Sequence, residues 1–227
     1  MSMIPDKPPF KLLDILYKKE FILFVVLITI LIINSNLTPY FLDLYNLIDS
    51  TFLFSEKAII ALTMTFVIIA RQIDLSVASI IAVSSVVLGY TTSLGYDTWL
   101  VISLTLLSGA LCGAFNGAII TKFAIPSIIV TIGTMSLFRG LAYSFLEDSY
   151  YNKFPKIVSN LGSGYLFGYI PYAFLTFILL ALVFAFILHK TTVGKKIYSI
   201  GNNPDAAQYT GIAVDKYTFV LFTLNGL

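Results

Sequence analysis

Few side chains in this sequence could carry out covalent chemistry. Its 227 residues include one histidine, His189, and one cysteine, Cys112. A hydrolase needs a nucleophile with a base, and a metal site needs several ligands at a characteristic spacing. The sequence contains neither a His-Glu-x-x-His nor a Gly-x-Ser-x-Gly pattern, and it has no Walker A pattern for ATP. These features predict a protein that is not an enzyme and that binds no cofactor or metal itself.

Polar side chains interrupt the apolar sequence in a way that could serve transport instead. The stretch 71–74 places Arg71 and Asp74 between two apolar runs, and Ser76 follows directly. An ionisable group at membrane depth is costly unless it is paired or lines a wet cavity. One interpretation is a discontinuous helix whose Asp74 and Ser76 face a translocation path. The other is a tight cytoplasmic hairpin in which Asp74 caps the next helix.

Three further polar residues lie within apolar runs: Asn116, Thr131 and Arg139. With Asp74 and Ser76 they are our candidates for the translocation path. Asn116 could instead hydrogen-bond across a helix contact. Arg139 could reach the lipid headgroups, or pair with Asp74, Glu147 or Asp148.

The composition indicates that helices in a bilayer position these residues. Apolar residues make up 58% of the chain and charged residues 11%, which leaves more apolar surface than a soluble core could bury. The alternation of a membrane β-barrel is absent. We therefore expect an all-α bundle with about six complete spans and the start of a seventh at Tyr217–Leu227. The six apolar runs are Phe21–Ile33, Thr51–Ala70, Leu75–Thr92, Trp99–Thr121, Ile125–Leu146 and Leu166–Leu188.

The first run is the shortest, and it could be the apolar region of a signal peptide. No small-x-small cleavage site follows it, so we favour an uncleaved first helix, extended on the cytoplasmic side by Leu12–Tyr17. The expected organisation is a cytoplasmic segment at 1–20 and a transmembrane domain at 21–227.

Basic residues predict the orientation of the chain. Ten lysines and arginines fall on the side of the N-terminus when the runs alternate, and three fall on the other. The positive-inside rule therefore places the N-terminus in the cytoplasm. The ten are Lys7, Lys11, Lys18, Lys19, Arg71, Lys122, Lys190, Lys195, Lys196 and Lys216, and the three are Lys57, Lys153 and Lys156.

The fourth run carries small residues at one spacing. Gly109, Gly113 and Gly117 recur every four residues, so they share one face of a helix. Helices associate in lipid by close approach over such faces. We expect the three glycines to pack against another helix.

The cytoplasmic segment 190–216 contains the signals of a short helix. Asn203 suits an N-cap, Pro204 the first helical position, and Gly211 the exit from the helix. Two turns or fewer are expected. Such a helix would make a rigid knob for docking, although a connecting loop without a partner is the alternative.

Four motifs resemble the permease subunits of ribose-type, binding-protein-dependent ABC importers, which serve sugars and the autoinducer-2 signal. They are the stretches 73–77, 125–140, 194–207 and 211–212, in the family's order. The resemblance departs at Arg71, Gln72 and Ala78, where the family usually has glycines. Members are also longer, so we expect the chain to be a C-terminally truncated product.

This resemblance implies alternating access by two permease chains, identical or not, in the bacterial cytoplasmic membrane. It implies an ABC ATPase subunit that uses the ATP, an extracytoplasmic sugar-binding protein and no nucleic acid as partners. The third motif would sit on the ATPase, through Gly201, Asn203, Pro204, Asp205, Ala206, Ala207 and Gly211. A secondary transporter in which Asp74 carries a coupling proton remains an alternative, and a membrane-embedded enzyme is a weaker one.

Overall fold

A computed structural model of the chain describes residues 19–146 and 150–227. Most of the expected N-terminal cytoplasmic segment, Leu12–Tyr17 included, lies outside these residues, as do Glu147 and Asp148. The chain divides into two compact units, residues 1–50 and residues 51–227.

The described residues form ten α-helices and one two-strand antiparallel hairpin, in which Tyr165 pairs with Pro171. In chain order they are α1 (Lys19–Leu37), α2 (Leu44–Ile69), α3 (Val77–Ser93), α4 (Thr98–Phe123), α5 (Ser127–Leu146), α6 (Lys156–Ser163), β1 (Tyr165–Leu166), β2 (Ile170–Pro171), α7 (Tyr172–Lys190), α8 (Thr192–Asn202), α9 (Pro204–Tyr209) and α10 (Val214–Gly226).

The helices make this an all-α membrane bundle. By length and composition, α2, α4, α5 and α7 can each cross a bilayer. The apolar residues Phe21–Leu37 of α1 and the whole of α3 are shorter. Seventeen helical residues rise about 26 Å, against a hydrocarbon core of about 30 Å. Four helices pass this measure and α3 begins only at Val77, after a non-helical stretch, so the expected count of six complete spans is not confirmed.

In the first unit, three polar side chains of α1 form hydrogen bonds within the helix itself. Thr29 Oγ1 and the amide nitrogens of Asn34 and Asn36 each donate to the backbone carbonyl four residues earlier, at 2.8 Å. These internal bonds suit a helix in lipid, where no water is available to pair with polar groups.

In the second unit, α4 packs along α10, and α3 packs on both α4 and α5. The contact with α10 is made backbone to backbone. A Cβ atom at Gly109 would collide with the carbonyl oxygen of Gly226, and one at Gly113 with that of Phe222. A Cβ at Gly117 would lie 3.0 Å from the Cα of Phe219. The three glycines thus lie against α10, which contains most of the expected seventh apolar stretch.

One apolar cluster holds the end of the bundle at which α2 and α7 finish. Its members include Phe66 of α2, Ala70 directly after α2, Leu188 of α7, Ile197 of α8 and Phe222 of α10. Burying these side chains together joins the membrane helices to the polar segment 190–216. The segment is therefore part of the fold of this unit.

The expected short helix is confirmed as α9. The Asn203 side chain accepts from the backbone N–H of Ala206 at 3.0 Å, and Pro204 is the first helical residue. Gly211 has a φ of +85°, in the left-handed region that a helix exit requires. The preceding helix α8 was not predicted.

Candidate functional site

The non-helical stretch between α2 and α3 is built by local backbone bonds. Arg71 N donates to Ile68 O at 2.9 Å, and Gln72 N donates to Val67 O at 3.0 Å. With Arg71 at a φ of +60°, this is a Schellman end in which arginine takes the left-handed position that glycine usually occupies. The chain then runs without helical structure to Ser76, and α3 begins at Val77. The interruption between the two apolar runs is thus present where the sequence predicts it.

Asp74 is the centre of a buried polar network. Its side chain is only 3% exposed. Oδ1 accepts from the N–H and the hydroxyl of Ser76, at 2.9 and 2.6 Å, and Oδ2 accepts from Asn225 Nδ2 at 2.8 Å. Among the described residues, the groups that donate these hydrogen bonds to Asp74 are thus all uncharged. These hydrogen bonds partly replace the water that a buried carboxylate loses.

The bond to Ser76 N holds Asp74 just before α3, whose N-cap residue is Ser76, so the interpretation of Asp74 as the cap of this helix is not confirmed. The bond to Asn225 ties the same carboxylate to α10. Asp74 therefore acts as a buried crosslink between separate helices in addition to its local role.

The network continues in both directions. On one side, Asn225 Oδ1 accepts from Thr63 Oγ1 of α2 at 2.8 Å. On the other, Ser76 Oγ accepts from Asn116 Nδ2 of α4 at 2.8 Å. Side chains from α2, α4 and α10 thus meet at the Asp74 turn. This point is close to the glycine contact between α4 and α10, since Asn116 precedes Gly117 and Asn225 precedes Gly226.

Hydrogen-bond chemistry fixes the orientation of Asn116. Ser76 has one hydroxyl hydrogen, which it donates to Asp74, so it can only accept from the Asn116 amide. This orientation leaves Asn116 Oδ1 fully buried without a donor among the described residues. A buried amide oxygen without a partner is costly. The orphaned oxygen marks this point as one where a polar group of another molecule, or a rearrangement, could be accommodated.

A second group of bonds ties the turn to α5. Ile73 N donates to Ser127 Oγ at 3.0 Å. Thr131 Oγ1 lies 3.3 Å from Ile73 O and 2.9 Å from Ser127 O, and it is fully buried. Four of the five candidate path residues, Asp74, Ser76, Asn116 and Thr131, are therefore brought together at the turn.

Two cavities of about 250 Å³ adjoin this network. The first is lined by Thr63 and Asn225, which belong to the network, and by Ser84 of α3. The second is lined by Gln72, Ser127 and Asp215. The polar network therefore has one cavity on the Thr63 side and another at the non-helical turn itself.

Arg139, the fifth candidate, lies elsewhere. Its exposed side chain lines a cavity of about 390 Å³ together with Ser85, Tyr143 and Tyr151. The Tyr151 ring lies against Gly89 of α3, where a Cβ would come within 2.5 Å of it. Arg139 is thus separate from Asp74, and pairing with Glu147 or Asp148 lies outside the described residues.

The residues proposed for docking differ in exposure: most face outward, and one faces the interior of the chain. Asn203, Asp205, Ala206 and Gly211 are exposed, and Pro204 is half-buried. Ala207 is only 4% exposed, because it packs into the apolar cluster with Ile197 and Ile200. The expectation that Ala207 contributes to the ATPase contact therefore needs correction, because its side chain is buried within this chain.

The most exposed side chain of α9 belongs to a residue that was not predicted as part of the docking site. Tyr209 is 93% exposed, and it lies four residues after Asp205 on the outward side of the helix. The i, i+4 spacing from Asp205 was a signal that could have identified it. Large exposed aromatic residues are frequent anchors in protein interfaces.

Gly201 has an internal role. It lies in the last turn of α8 against the end of α2, where a Cβ atom would collide with the carbonyl oxygen of Ile69. Gly194, at the other end of α8, similarly lies on the carbonyl of Leu188 in α7. Because of these two contacts, α8 is fixed by backbone packing to the ends of two membrane helices.

These features define a multi-pass membrane protein with a buried polar turn and an ordered helical segment beside it. The chain belongs to the family described as branched-chain amino acid transport system / permease component, whose model matches residues 46–227. This family is one of transport permeases, and the expected relationship to sugar ABC importers is confirmed by relatives that are ribose and autoinducer 2 import permeases.

Three of these relatives illustrate the similarity. The ribose import permease protein RbsC of Haemophilus influenzae is 33% identical over 210 residues, which are 89% of this chain and 64% of the relative. The autoinducer 2 import system permease protein LsrD of Klebsiella pneumoniae is 33% identical, over 92% of this chain and 64% of the relative. LsrC of Photorhabdus luminescens is 32% identical, over 88% of this chain and 61% of the relative. The chain thus spans a little less than two thirds of their length. No solved structure matches it significantly.

Proposed function

We propose that this chain is the transmembrane permease subunit of an ATP-binding-cassette importer that moves a sugar or sugar-like solute across the bacterial cytoplasmic membrane. The observation that carries the proposal is the buried polar turn at Asp74, which crosslinks several membrane helices and adjoins two cavities, each of which includes residues of the polar network in its lining. A turn of this kind is expected where a membrane protein lines a path for a polar solute.

The Asp74 network is the element that changes between access states. Its hydrogen bonds join α2, α4 and α10, so a relative movement of these helices must break or exchange them. Packed helices shift between discrete arrangements, and hydrogen-bonded side chains can exchange partners during such a shift. The residues that open and close the path are then those of the network and its neighbour on α5, namely Asp74, Ser76, Asn116 and Thr131. Arg139 lines a separate cavity, the one of about 390 Å³ described above.

The movement is driven by a separate ATPase subunit that docks on segment 190–216. Asp205, Ala206 and Tyr209 form the contact face, and Gly201 transmits the displacement to α2. The relatives' names supply the solute class, since they are import permeases for ribose and autoinducer 2. A second permease chain and an extracytoplasmic sugar-binding protein complete the importer.

The topology that fits this function has residues 21–227 in the transmembrane domain and the N-terminus in the cytoplasm. It has six spans, with α10 as the start of a seventh. Arg71, Lys122 and Lys196 then lie on the cytoplasmic side, where basic residues accumulate. Segment 190–216 faces the ATPase on that same side.

A secondary transporter is the second candidate, because Asp74 is buried among neutral partners and could carry a coupling proton. Uptake of labelled ribose and autoinducer 2 by cells that express the permease separates the two. Loss of uptake on ATP depletion with the proton gradient intact supports the importer. Loss on collapse of the gradient with ATP maintained supports the secondary transporter and overturns our proposal.

A further inference from the structure

A groove of about 640 Å³ lies between α2, α7, α8 and α10. It is distinct from the Asp74 network. Its apolar wall includes Phe66 of α2, Phe184 of α7, and Val220 and Leu224 of α10. The rings of Phe66 and Phe184 are in edge contact, with centroids 5.3 Å apart. The groove therefore has a continuous apolar floor inside the second unit.

The polarity of the groove changes from one end to the other. Along α10 its lining residues run from Leu224 through Val220 to Lys216, at intervals of four residues on one helix face. Eight residues of helix span about 12 Å. Along α7 the lining runs from Phe184 to Thr191, which lies just beyond the end of the helix. One end of the groove is thus apolar, and the other is polar and lies at the edge of the membrane span.

Two lysines stand at the polar end, one on each side. Lys196 belongs to α8 and Lys216 to α10. Lys196 Nζ lies 5.7 Å from the ring centroid of Tyr217, a cation–π distance, and Tyr217 also lines the groove. No acidic side chain is among the described residues that line the groove. Its two formal charges are therefore both positive.

We infer that this groove binds an anionic phospholipid, with an acyl chain along the apolar floor and the phosphate between Lys196 and Lys216. The charge and shape of the groove match such an amphiphile. Basic pockets between membrane helices are known to suit anionic headgroups. A sugar would gain little from an apolar floor without hydrogen-bonding partners along it. The inference depends on the membrane location of the chain and not on the direction or energy source of transport.

Photo-crosslinking tests the inference directly. The intact permease is placed in nanodiscs with phosphatidylglycerol that carries a photoactivatable group on the acyl chain, and labelled peptides are mapped. We expect label on peptides containing Phe184, Val220 or Leu224. The same label on phosphatidylcholine should give much weaker labelling. An unlabelled groove, as expected if another polypeptide segment or a second chain fills it, would overturn the inference.

Charge removal provides the matched comparison. The Lys196→Gln, Lys216→Gln double variant should reduce phosphatidylglycerol labelling of the groove roughly 10- to 30-fold, since each lysine near a membrane surface contributes about one kcal/mol of anionic-lipid attraction. The control variant Lys153→Gln, Lys156→Gln removes the same charge from exposed positions in another segment. Equal labelling of both double variants would contradict a headgroup site at these lysines.

Two further arms complete the test. Val220→Trp fills the groove without changing its charge, and it should also lower labelling. Inorganic phosphate at millimolar concentration should not compete, because it lacks the acyl chain. Full competition by phosphate would identify a free-anion site and overturn the lipid assignment. Transport activity is measured separately, so failure here leaves the proposed importer function intact.

Discussion

Gly201 of α8 lies so close to the carbonyl oxygen of Ile69, the last residue of α2, that no Cβ atom could be placed between them. The chain enters the non-helical turn only two residues later, at Arg71. A displacement of the segment that carries α8 and α9 would therefore reach the Asp74 network through direct backbone contact.

The first prediction concerns this contact. Gly201→Ala should push α8 away from α2, and it should lower the free energy of unfolding by about 1–3 kcal/mol, as overpacking of a tight contact does. Thermal unfolding in detergent measures the effect, and solute uptake should fall with it. Gly133→Ala is the control, because no atom of a neighbouring residue lies within 4 Å of a Cβ placed there. Equal stability of the two variants would show that α8 and α2 can separate freely.

The second prediction tests the glycine face of α4. Gly113→Leu should disrupt the contact with α10, because its side chain would have to enter the backbone of Phe222 and Gly226. Thermal stability in detergent should drop by more than for Gly201→Ala. Gly133→Leu adds the same side chain at an open position. An unchanged unfolding temperature for Gly113→Leu would refute the close approach.

The third prediction separates the charge of Asp74 from its hydrogen bonds. Asp74→Asn can still accept from Ser76 and can donate to Asn225 Oδ1 if that amide turns over, since Thr63 then becomes the acceptor for Asn225. Asp74→Leu leaves Ser76 and Asn225 without their partner, at about 1–3 kcal/mol for each buried group. Asp74→Asn should thus unfold at nearly the parental temperature and Asp74→Leu well below it.

The uptake of Asp74→Asn gives a second outcome. If the network acts as a mechanical crosslink, the asparagine variant retains ATP-dependent uptake. Complete loss of uptake in a stably folded Asp74→Asn variant would show that the negative charge itself is required, as in a proton-coupled transporter.

The fourth prediction concerns docking of the ATPase. Tyr209→Ala should leave α9 intact, because the capping bond from Asn203 and the buried Ala207 are unaffected. Co-purification with the ATPase subunit should nevertheless fall at least about tenfold, the loss expected for an interface anchor. Tyr169→Ala changes an exposed tyrosine in the loop between β1 and β2 and should have no effect. Unchanged ATPase recovery with Tyr209→Ala would remove this residue from the docking face.

What the sequence predicted correctly depended on local chemistry. The short helix α9 follows from Asn203, Pro204 and Gly211, whose capping roles need only neighbouring backbone. The turn at Asp74 was similarly visible, because a charged residue interrupts two apolar runs. Helix α8 could have been found from Gly194, Ile197 and Ile200, whose spacing of three places them on one buried face.

The remaining features depend on contacts between distant parts of the chain. Asn225 and Asp74 are 151 positions apart, and no local pattern links them. Ala206 and Ala207 are equivalent in the sequence, but tertiary packing buries only the second. The glycine face predicted a close helix partner without saying which one, since several apolar runs offered similar surfaces.

In the proposed function, a separate ATPase drives solute through this chain. Proteoliposomes that contain the permease, its ATPase subunit and the sugar-binding protein test it most directly, through accumulation of a labelled sugar that the binding protein recognises. We expect accumulation with hydrolysable ATP supplied to the ATPase side, and none with a non-hydrolysable analogue or with an imposed proton gradient alone. Accumulation on the proton gradient without ATP would contradict it.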